Sequence, residues 1–232
     1  MPDAKTTIVL VHGAWAECAG WTEIIGPLQK QGFAVVCAPL ALTSLSDDVA
    51  ALDRSLARIE GDIVLVGHAY AGGVIGATTN ERVKLLVYVA ALAPDEGETV
   101  ADVFMREAPH AQAPKLAPDE NGFMWMPPEG FEHAVAQDAK PDVKSVLLAT
   151  QRPINVKCIQ EKVPRPLWKD RPVWFLIAEN DRMIPAKTQY FQAERMRATV
   201  RAHAVDHSPM LTAPNVVVDV LLEAIRNTIK NA

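Results

Sequence analysis

The chain has 232 residues, of which 49% are hydrophobic and 22% charged, and its formal net charge is −5. A chain of this length and composition is expected to form one globular domain with a sizeable core. The negative charge and the absence of a basic cluster argue against nucleic acid or an anionic membrane as a partner. The three cysteines, Cys18, Cys37 and Cys158, are scattered, which suits free thiols in a reducing compartment and does not match a metal site.

The sequence also carries an expectation about where the protein resides. The first predicted strand starts within a few residues of Met1, and there is no apolar leader or stretch of about 20 apolar residues. We therefore expect neither export nor membrane insertion, and a cytoplasmic location. We expect no metal and no other cofactor. The expected partner is a small-molecule substrate, and a homodimer is left open.

Strand-like and helical patterns alternate along the first part of the chain, which is typical of a parallel α/β sheet. The helix after the second strand should be capped by Ser46, because Asp47 and Asp48 then fall in its first turn. In chain order, the predicted elements are a strand at Thr6–Val11, a helix at Trp21–Lys30, a strand at Ala34–Ala38, the helix from Ser46, and strands at Asp62–Val66 and Val83–Ala90.

The third predicted strand runs into a sharp strand-to-helix turn. Its sequence, Gly67-His68-Ala69-Tyr70-Ala71, has the frame of the nucleophile elbow G-x-S-x-G, which exposes a catalytic serine at the top of a sheet. Ala69 occupies the serine position and Ala71 the position of the second glycine. Because an engineered knockout would change only the serine, the double change favours natural divergence.

Further segments supply partners for this turn, in the chain order of Ser…Asp…His triads. An HG-type turn after the first strand offers the N–H of Ala14 to an oxyanion hole, and Tyr70 offers the second N–H. Asp181 follows a buried strand, and His207 precedes the last helix. We predict that His207 is the base and that Asp181 orients it; Asp95, which follows an earlier strand, is the alternative acid.

These motifs resemble those of α/β-hydrolases, in particular the small esterase group that includes plant hydroxynitrile lyases and salicylate-type methyl esterases. The matching segments are VHGAW (Val11–Trp15), GHAYAG (Gly67–Gly72), ENDRMIP (Glu179–Pro185) and DHSPML (Asp206–Leu211). The resemblance implies an α/β-hydrolase fold, in which a mostly parallel sheet is flanked by helices and a cap is inserted over the active site. It is specific for the superfamily and weak for the substrate.

Regular periodicity breaks down between Pro94 and about Arg171, where proline is frequent. The resemblance places the inserted cap in this part of the chain. We therefore expect a single domain whose core consists of residues 1–93 and 172–232, with a cap of residues 94–171.

The cap is expected to contain some regular structure of its own. An Asn121-Gly122 turn followed by the short strand Phe123–Met126 predicts a β-hairpin arm. The remaining predicted elements are a cap helix from about Asp142 to Thr150, a strand at Val173–Ala178, a helix at Lys187–Met196, a strand at Thr199–Ala204 and a terminal helix at Val216–Lys230.

Several further side chains are candidates for the substrate pocket. Those predicted to line it are His12, Trp15, His68, Phe123 and Trp125. The two histidines are expected to hydrogen-bond locally within their turns, and the two cap aromatics suit flat or aliphatic ligands. The Tyr70 hydroxyl is expected to be a spare donor. Cys18, near the HG turn, is either a substitute nucleophile or, as we favour, a small buried hydrophobe.

Ordinary acyl-enzyme esterolysis is not expected, because loss of the serine oxygen costs on the order of a million-fold in turnover. The retained groups suit stabilising an enolate or alkoxide and moving a proton. We therefore predict a protein that acts on a small apolar carbonyl or ester compound, either a knocked-out serine esterase or an enzyme in which His207 activates water. The alternatives are a lyase or decarboxylase that uses His207 as acid and base, as the resemblance to serine-lacking β-keto acid decarboxylases permits, and a ligand-binding protein without activity.

Overall fold

A central parallel sheet organises the protein, whose computed structural model describes residues 6–229. The strands are β1 (Thr7–Val11), β2 (Ala34–Ala38), β3 (Ile63–His68), β4 (Val83–Val89), β5 (Phe123–Met124), β6 (Ile154–Asn155), β7 (Val173–Ala178) and β8 (Thr199–His203). Six of them form the central sheet in the order β2-β1-β3-β4-β7-β8. Every neighbouring pair in that sheet is parallel, so the predicted parallel α/β sheet is confirmed.

Helices connect the strands, because parallel neighbours need a crossover between them. The helices are α1 (Thr22–Lys30), α2 (Leu45–Ala57), α3 (Ala71–Ala77), α4 (Val100–Phe104), α5 (Pro128–Gly130), α6 (Pro141–Thr150), α7 (Lys157–Gln160), α8 (Ala186–Arg195), α9 (Pro209–Thr212) and α10 (Pro214–Thr228). Short 3-10 turns cover Cys18–Trp21 and Leu167–Lys169, and a π-helical turn covers Phe131–Val135. None of the helices within residues 6–229 is both long and apolar enough to span a bilayer.

The sheet is buried on both faces, which explains why its strands are continuous apolar runs in the sequence. Along β1, Ile8 and Leu10 belong to the apolar cluster that includes residues of α1 and α10. Val9 and Val11 belong to the cluster on the other face, which includes residues of α2, α3 and the segment between β4 and β7. All four side chains are fully buried.

The described ends of the predicted helices differ from the structure by at most two residues, and one helix has a different cap. Helix α2 is capped by Ser44, whose hydroxyl accepts the N–H of Asp47 at 3.0 Å, and not by Ser46. The amide of Ser46 instead donates to the carboxylate of Glu161 at 2.9 Å. The terminal helix starts at Pro214, two residues before the predicted start, and the predicted end at residue 230 lies outside the described residues.

The predicted hairpin arm is wrong in its pairing. The turn forms, with Gly122 at a φ of 81° and its N–H bonded to the carbonyl of Asp119. Strand β5, however, pairs in antiparallel fashion with β6, about thirty residues further along the chain. A local turn signal therefore predicted the bend correctly and the partner strand incorrectly.

The segment between β4 and β7 is attached to loops that follow the carboxyl ends of the first two strands. The indole N–H of Trp15, after β1, donates to the carbonyl of Met124 at 2.9 Å. After β2, the carbonyl of Leu42 accepts the N–H of Asn155 at 2.9 Å, and the carbonyl of Leu40 accepts from Arg152 at 2.7 Å. These bonds hold the segment at the edge of the sheet where the elbow lies.

Candidate active site

The nucleophile elbow forms although its serine is absent. Ala69 joins β3 to α3 with a φ of 50°, in the left-handed region that side chains with a Cβ rarely adopt. Its carbonyl accepts the N–H groups of Gly72 at 3.1 Å and Leu92 at 3.0 Å, and its own N–H donates to Val89 at 3.3 Å. The turn thereby presents the Ala69 methyl group to a cavity.

The elbow tolerates Ala71, its second departure from the motif, because the position at which only glycine fits is the next one, Gly72. Ala71 is buried in the first turn of α3 and does not have a positive φ. A Cβ at Gly72 would instead lie 2.2 Å from the carbonyl oxygen of Leu92. Glycine is therefore required for close packing at position 72 and not at position 71.

The HG turn packs directly on the elbow. A Cβ at Gly13 would lie 3.0 Å from the Cβ of Ala69 and 3.1 Å from Nδ1 of His68. Ala14 and Tyr70 both line the cavity. Within residues 6–229, neither of their amide N–H groups is bonded to a protein acceptor. Both amides are therefore free to bind a ligand.

His207 and Asp181 form the predicted pair. Nδ1 of His207 lies 2.8 Å from Oδ2 of Asp181, and both side chains are buried. The amides of Met183 and Ile184 donate to Oδ1 of Asp181 at 2.7 and 2.8 Å. This carboxylate is anchored to the loop after β7, so it holds the imidazole ring in a fixed orientation.

Gln189, on α8, is a positioning residue that sequence reasoning missed. Its amide nitrogen donates to Oδ2 of Asp181 at 2.9 Å and to the carbonyl of Ile184 at 2.8 Å. Its amide oxygen accepts the N–H of Ala178 at 3.0 Å. A buried glutamine side chain is recognisable only when its partners are known, so no signal in the sequence pointed to it.

The rival carboxylates have other partners. Asp95, the alternative acid, is paired with Lys169. Partial burial acts to raise the pKa of Asp95, but the hydrogen bonds to its carboxylate, from Lys169 and from the amide of Glu96, lower it overall. Asp206, although adjacent to His207, accepts from the amide of Ser208 and from the hydroxyl of Thr212. Neither carboxylate is hydrogen-bonded to the imidazole of His207.

His12 and His68 line the cavity and, as expected, bond locally. Nδ1 of His12 bonds to the Gly13 carbonyl at 2.9 Å, and its Nε2 accepts the N–H of Leu40 at 3.0 Å. Nε2 of His68 donates to the carbonyl of His207 at 2.8 Å. Burial lowers the pKa of His12 to about 4 and that of His68 to about 3. Both rings are therefore neutral at pH 7.

The hydroxyl of Tyr70 is not a spare donor. It donates to Oδ2 of Asp48 at 2.8 Å, and Oδ1 of Asp48 accepts the N–H of Leu42. The thiol of Cys158 lies 3.7 Å from the same carboxylate. Burial raises the pKa of Asp48. The sequence predicted Asp48 as an ordinary acidic residue of a first helical turn, whereas the structure shows a buried carboxyl group that anchors the side chain next to the elbow.

The cavity has a volume of about 910 Å³ and brings together most of the predicted site residues. Those that line it are His12, Ala14, Trp15, His68, Ala69, Tyr70 and His207. The predictions for Phe123 and Trp125 are wrong in placement. Neither lines the cavity, and Trp125 is 54% exposed. Met124, between them, is buried and lines it, because successive residues of an extended chain point to opposite sides.

The cysteines do not supply a replacement nucleophile. Cys18 is half-buried, and a hydrogen bond from Cys37 lowers its pKa to about 7, but it does not line the cavity. Burial raises the pKa of Cys158 to about 12. In the part of the chain that the structure describes, no three histidine, cysteine or acidic side chains are grouped as a metal site would require.

The parallel sheet, the elbow and the order of the acid and the histidine define a protein of the α/β-hydrolase class. A family model described as the alpha/beta hydrolase family matches residues 8–220. The chain therefore belongs to the alpha/beta hydrolase family.

Known proteins of similar sequence include alpha/beta hydrolase nvfD of Aspergillus novofumigatus (strain IBT 16806), 22% identical over 250 residues, which covers 97% of this chain and 99% of that protein. The carbendazim hydrolyzing esterase of Nocardioides sp. (strain SG-4G) is 29% identical over 147 residues, covering 56% of this chain and 55% of the esterase.

Solved structures of similar fold include two esterases. Polyneuridine aldehyde esterase has a TM-score of 0.82 at 19% identity, with 94% of this chain and 98% of that chain covered. The methylesterase MES16 from Arabidopsis has a TM-score of 0.78 at 18% identity, with 95% and 99% covered. At sequence identities this low, the similarity shows a shared fold and nothing about the reaction or the substrate.

Proposed function

We propose that this protein is an enzyme that converts an apolar ester or related carbonyl compound without forming a covalent intermediate. The observation that carries the proposal is the His207–Asp181 pair, held at 2.8 Å and opening on the same cavity as Ala69. Esterases among the similar proteins support a hydrolytic reaction.

In this mechanism His207 activates water directly. The methyl group of Ala69 leaves the position of the serine oxygen open to a water molecule. Nε2 of His207 takes a proton from that water as its oxygen bonds to the carbonyl carbon. The amides of Ala14 and Tyr70 would stabilise the resulting oxyanion. The intermediate then expels the alcohol, which takes the proton back from His207, so an acid and an alcohol are released.

The segment of residues 94–171 is assigned the role of a cap over this reaction. It contributes Phe104, Leu116, Met124 and Leu147, among others, to the cavity wall. Apolar side chains around the carbonyl lower the local dielectric and thereby strengthen hydrogen bonds to an oxyanion. The cap thus provides both the binding surface and part of the electrostatic environment.

A second candidate is a lyase or decarboxylase, and the loss of the serine oxygen is the observation that favours it. Proton transfer is the chemistry that an imidazole and two amides retain without a nucleophile. His207 would take the carboxyl proton of a β-keto acid, and the carboxylate would then lose carbon dioxide to give an enolate bound by the two amides. The protonated His207 would return that proton to carbon. The product would be a ketone.

The test compares the wild type with His207→Gln on a panel of methyl esters and β-keto acids, with products identified by mass spectrometry. His203→Gln is the matched control, since His203 lies at the end of β8 and does not line the cavity. We expect wild-type ester hydrolysis to exceed the roughly 10³–10⁴-fold over water that oxyanion stabilisation and binding alone supply, because general-base catalysis by His207 adds about 10²–10⁴-fold. The His207 variant should fall to the level of oxyanion stabilisation and binding, and the His203 variant should not.

Ketone formation from β-keto acids, with no ester hydrolysis, would select the decarboxylase. Binding without turnover of either class, in a folded protein, would select a ligand-binding protein without activity. Equal rates for the wild type and His207→Gln would refute the proposed mechanism.

A further inference from the structure

The cavity is large in comparison with a small ester. Its volume of about 910 Å³ is near the upper end of the range of roughly 300–1,000 Å³ in which proteins bind drug-sized ligands. Most of its wall is apolar, with large side chains such as Leu92, Phe131, Met183 and Met210. A ligand with only a few carbon atoms would leave most of this wall in contact with water.

The buried polar side chains of the wall already have protein partners. Both ring nitrogens of His12 are bonded to backbone groups, and the hydroxyl of Ser208 donates to the carbonyl of Val135 at 2.7 Å. Nε2 of His68 and Nδ1 of His207 are likewise occupied. These side chains therefore offer few hydrogen bonds to a ligand.

Several polar groups of the wall that have no protein partner lie around the elbow. Within residues 6–229 they include the remaining ring nitrogens of His68 and His207 and the amide N–H groups of Ala14 and Tyr70. The HG turn and the elbow, which carry three of these four groups, approach to about 3 Å at Gly13. A ligand thus finds a cluster of hydrogen-bonding groups at the elbow and a mostly apolar wall elsewhere.

The charged residues of the wall do not provide a site for an anion. They are Glu17, Arg106, Glu107, Lys115 and Asp142. Two are basic and three are acidic, so no excess of positive charge results. Arg106, Lys115 and Asp142 are exposed, and Glu107 is paired with Lys187. A carboxylate placed deep in the cavity would therefore be buried without a cationic partner, which is unfavourable.

We propose that the substrate is a bulky, uncharged, apolar compound with a single polar group, an ester or ketone carbonyl that lies at the elbow. The inference rests on the proposed function for the placement of the carbonyl. It narrows the expected substrate class in two ways, because it excludes free acids and it requires an apolar body much larger than a short acyl chain.

Three probes test size and charge separately. They are methyl 1-pyrenebutyrate, the free acid 1-pyrenebutyrate with the same ring system, and methyl butyrate with the same ester group and no rings. Binding of the pyrene probes is followed by fluorescence near neutral pH. The ester should bind at least about ten-fold more tightly than the acid, because only the acid buries an unpaired charge. Methyl butyrate, at equal concentration, should not displace the pyrene ester.

Two neighbouring leucines of α6 provide matched variants. Leu147 and Leu148 are both half-buried, but only Leu147 lines the cavity. Leu147→Trp should weaken binding of the pyrene ester by about ten-fold or more because it fills cavity volume, whereas Leu148→Trp should change it by less than about two-fold. Val143→Phe, at a second lining position on α6, repeats the test if Leu147→Trp does not fold, as judged by circular dichroism.

The proposal is overturned if the acid binds as tightly as the ester, if methyl butyrate competes equally, or if both leucine variants weaken binding alike. Its failure is distinguishable from failure of the proposed function. His207-dependent hydrolysis of methyl butyrate without binding of the pyrene ester would refute only the substrate class. If the pyrene ester binds as expected but His207-dependent turnover of esters and β-keto acids is absent, the proposed size and charge of the ligand are supported and the proposed reaction is refuted.

Discussion

Restoring the missing oxygen with Ala69→Ser should produce an esterase with a covalent intermediate. Ala69 already has the φ of 50° that an elbow requires, so serine adds one oxygen without a new backbone cost. Ala69 lines the cavity, so the added hydroxyl has space to occupy there. The orienting bond between His207 and Asp181 is already present at 2.8 Å.

The size of the gain follows from what is already in place. A complete triad supplies on the order of 10⁶-fold in turnover, and the oxyanion hole and binding alone supply roughly 10³–10⁴-fold over water. Since only the nucleophile is missing, we expect kcat/KM for p-nitrophenyl butyrate to rise by about 10³-fold or more. Intact-protein mass spectrometry after rapid quenching should show the added acyl group.

Ala71→Ser is the matched control, because it places the same hydroxyl two residues later at a buried position that does not line the cavity. It should show neither the increase nor the acyl adduct. The double variant Ala69→Ser/His207→Ala should lose the increase. A folded Ala69→Ser protein with no increase and no adduct would refute the reasoning, since it would mean that His207 is not aligned with position 69.

Three further outcomes are expected. In the Ala69→Ser protein, Asp181→Asn should lower kcat by about 10⁴-fold because it favours the wrong imidazole tautomer; an unchanged rate would argue against this acid. Gly72→Ala should lower the free energy of unfolding in urea by about 1–3 kcal/mol, since its Cβ would meet the carbonyl oxygen of Leu92 at 2.2 Å, whereas Gly76→Ala, with no contact under 3.5 Å, should be tolerated. Because the pKa of His68 is about 3 in the folded protein and 6.5 for an ordinary exposed histidine, the unfolded chain binds more protons between these values. The contribution of His68 to stability is therefore full above pH 6.5 and falls by about 1–2 kcal/mol by pH 5. Urea titrations of the wild type and His68→Gln, above pH 6.5 and at pH 5, check this. Equal pH dependence of the free energy of unfolding in the two proteins would contradict it.

The parallel sheet was predictable because its strands are buried on both faces and so form uninterrupted apolar runs such as Ile63–Val66. Ala69 was identified from its neighbours, since an elbow needs small residues at fixed spacing whichever side chain it presents. Asp181 and His207 were found from their positions after β7 and before α9. Each of these features depends on a short segment of the chain, so a local sequence pattern is sufficient to predict it.

Other features depend on side-chain contacts between different elements. The buried contacts of Gln189 with Asp181 and of Tyr70 with Asp48 are of this kind, and no periodicity marks the partners. The pairing of β5 with β6 followed from tertiary packing and not from the turn at Gly122.

The sequence by itself determined the sheet, the elbow without its nucleophile and the order of the acid and the base, because each is written in short segments with fixed spacing. Only the tertiary structure decided which carboxylate reaches His207, that Trp125 faces outward, and how large the cavity is. A cavity is the space left between elements that pack against one another. Its volume and the choice of side chains that line it therefore depend on how the segment of residues 94–171 packs on the sheet, which no single segment specifies.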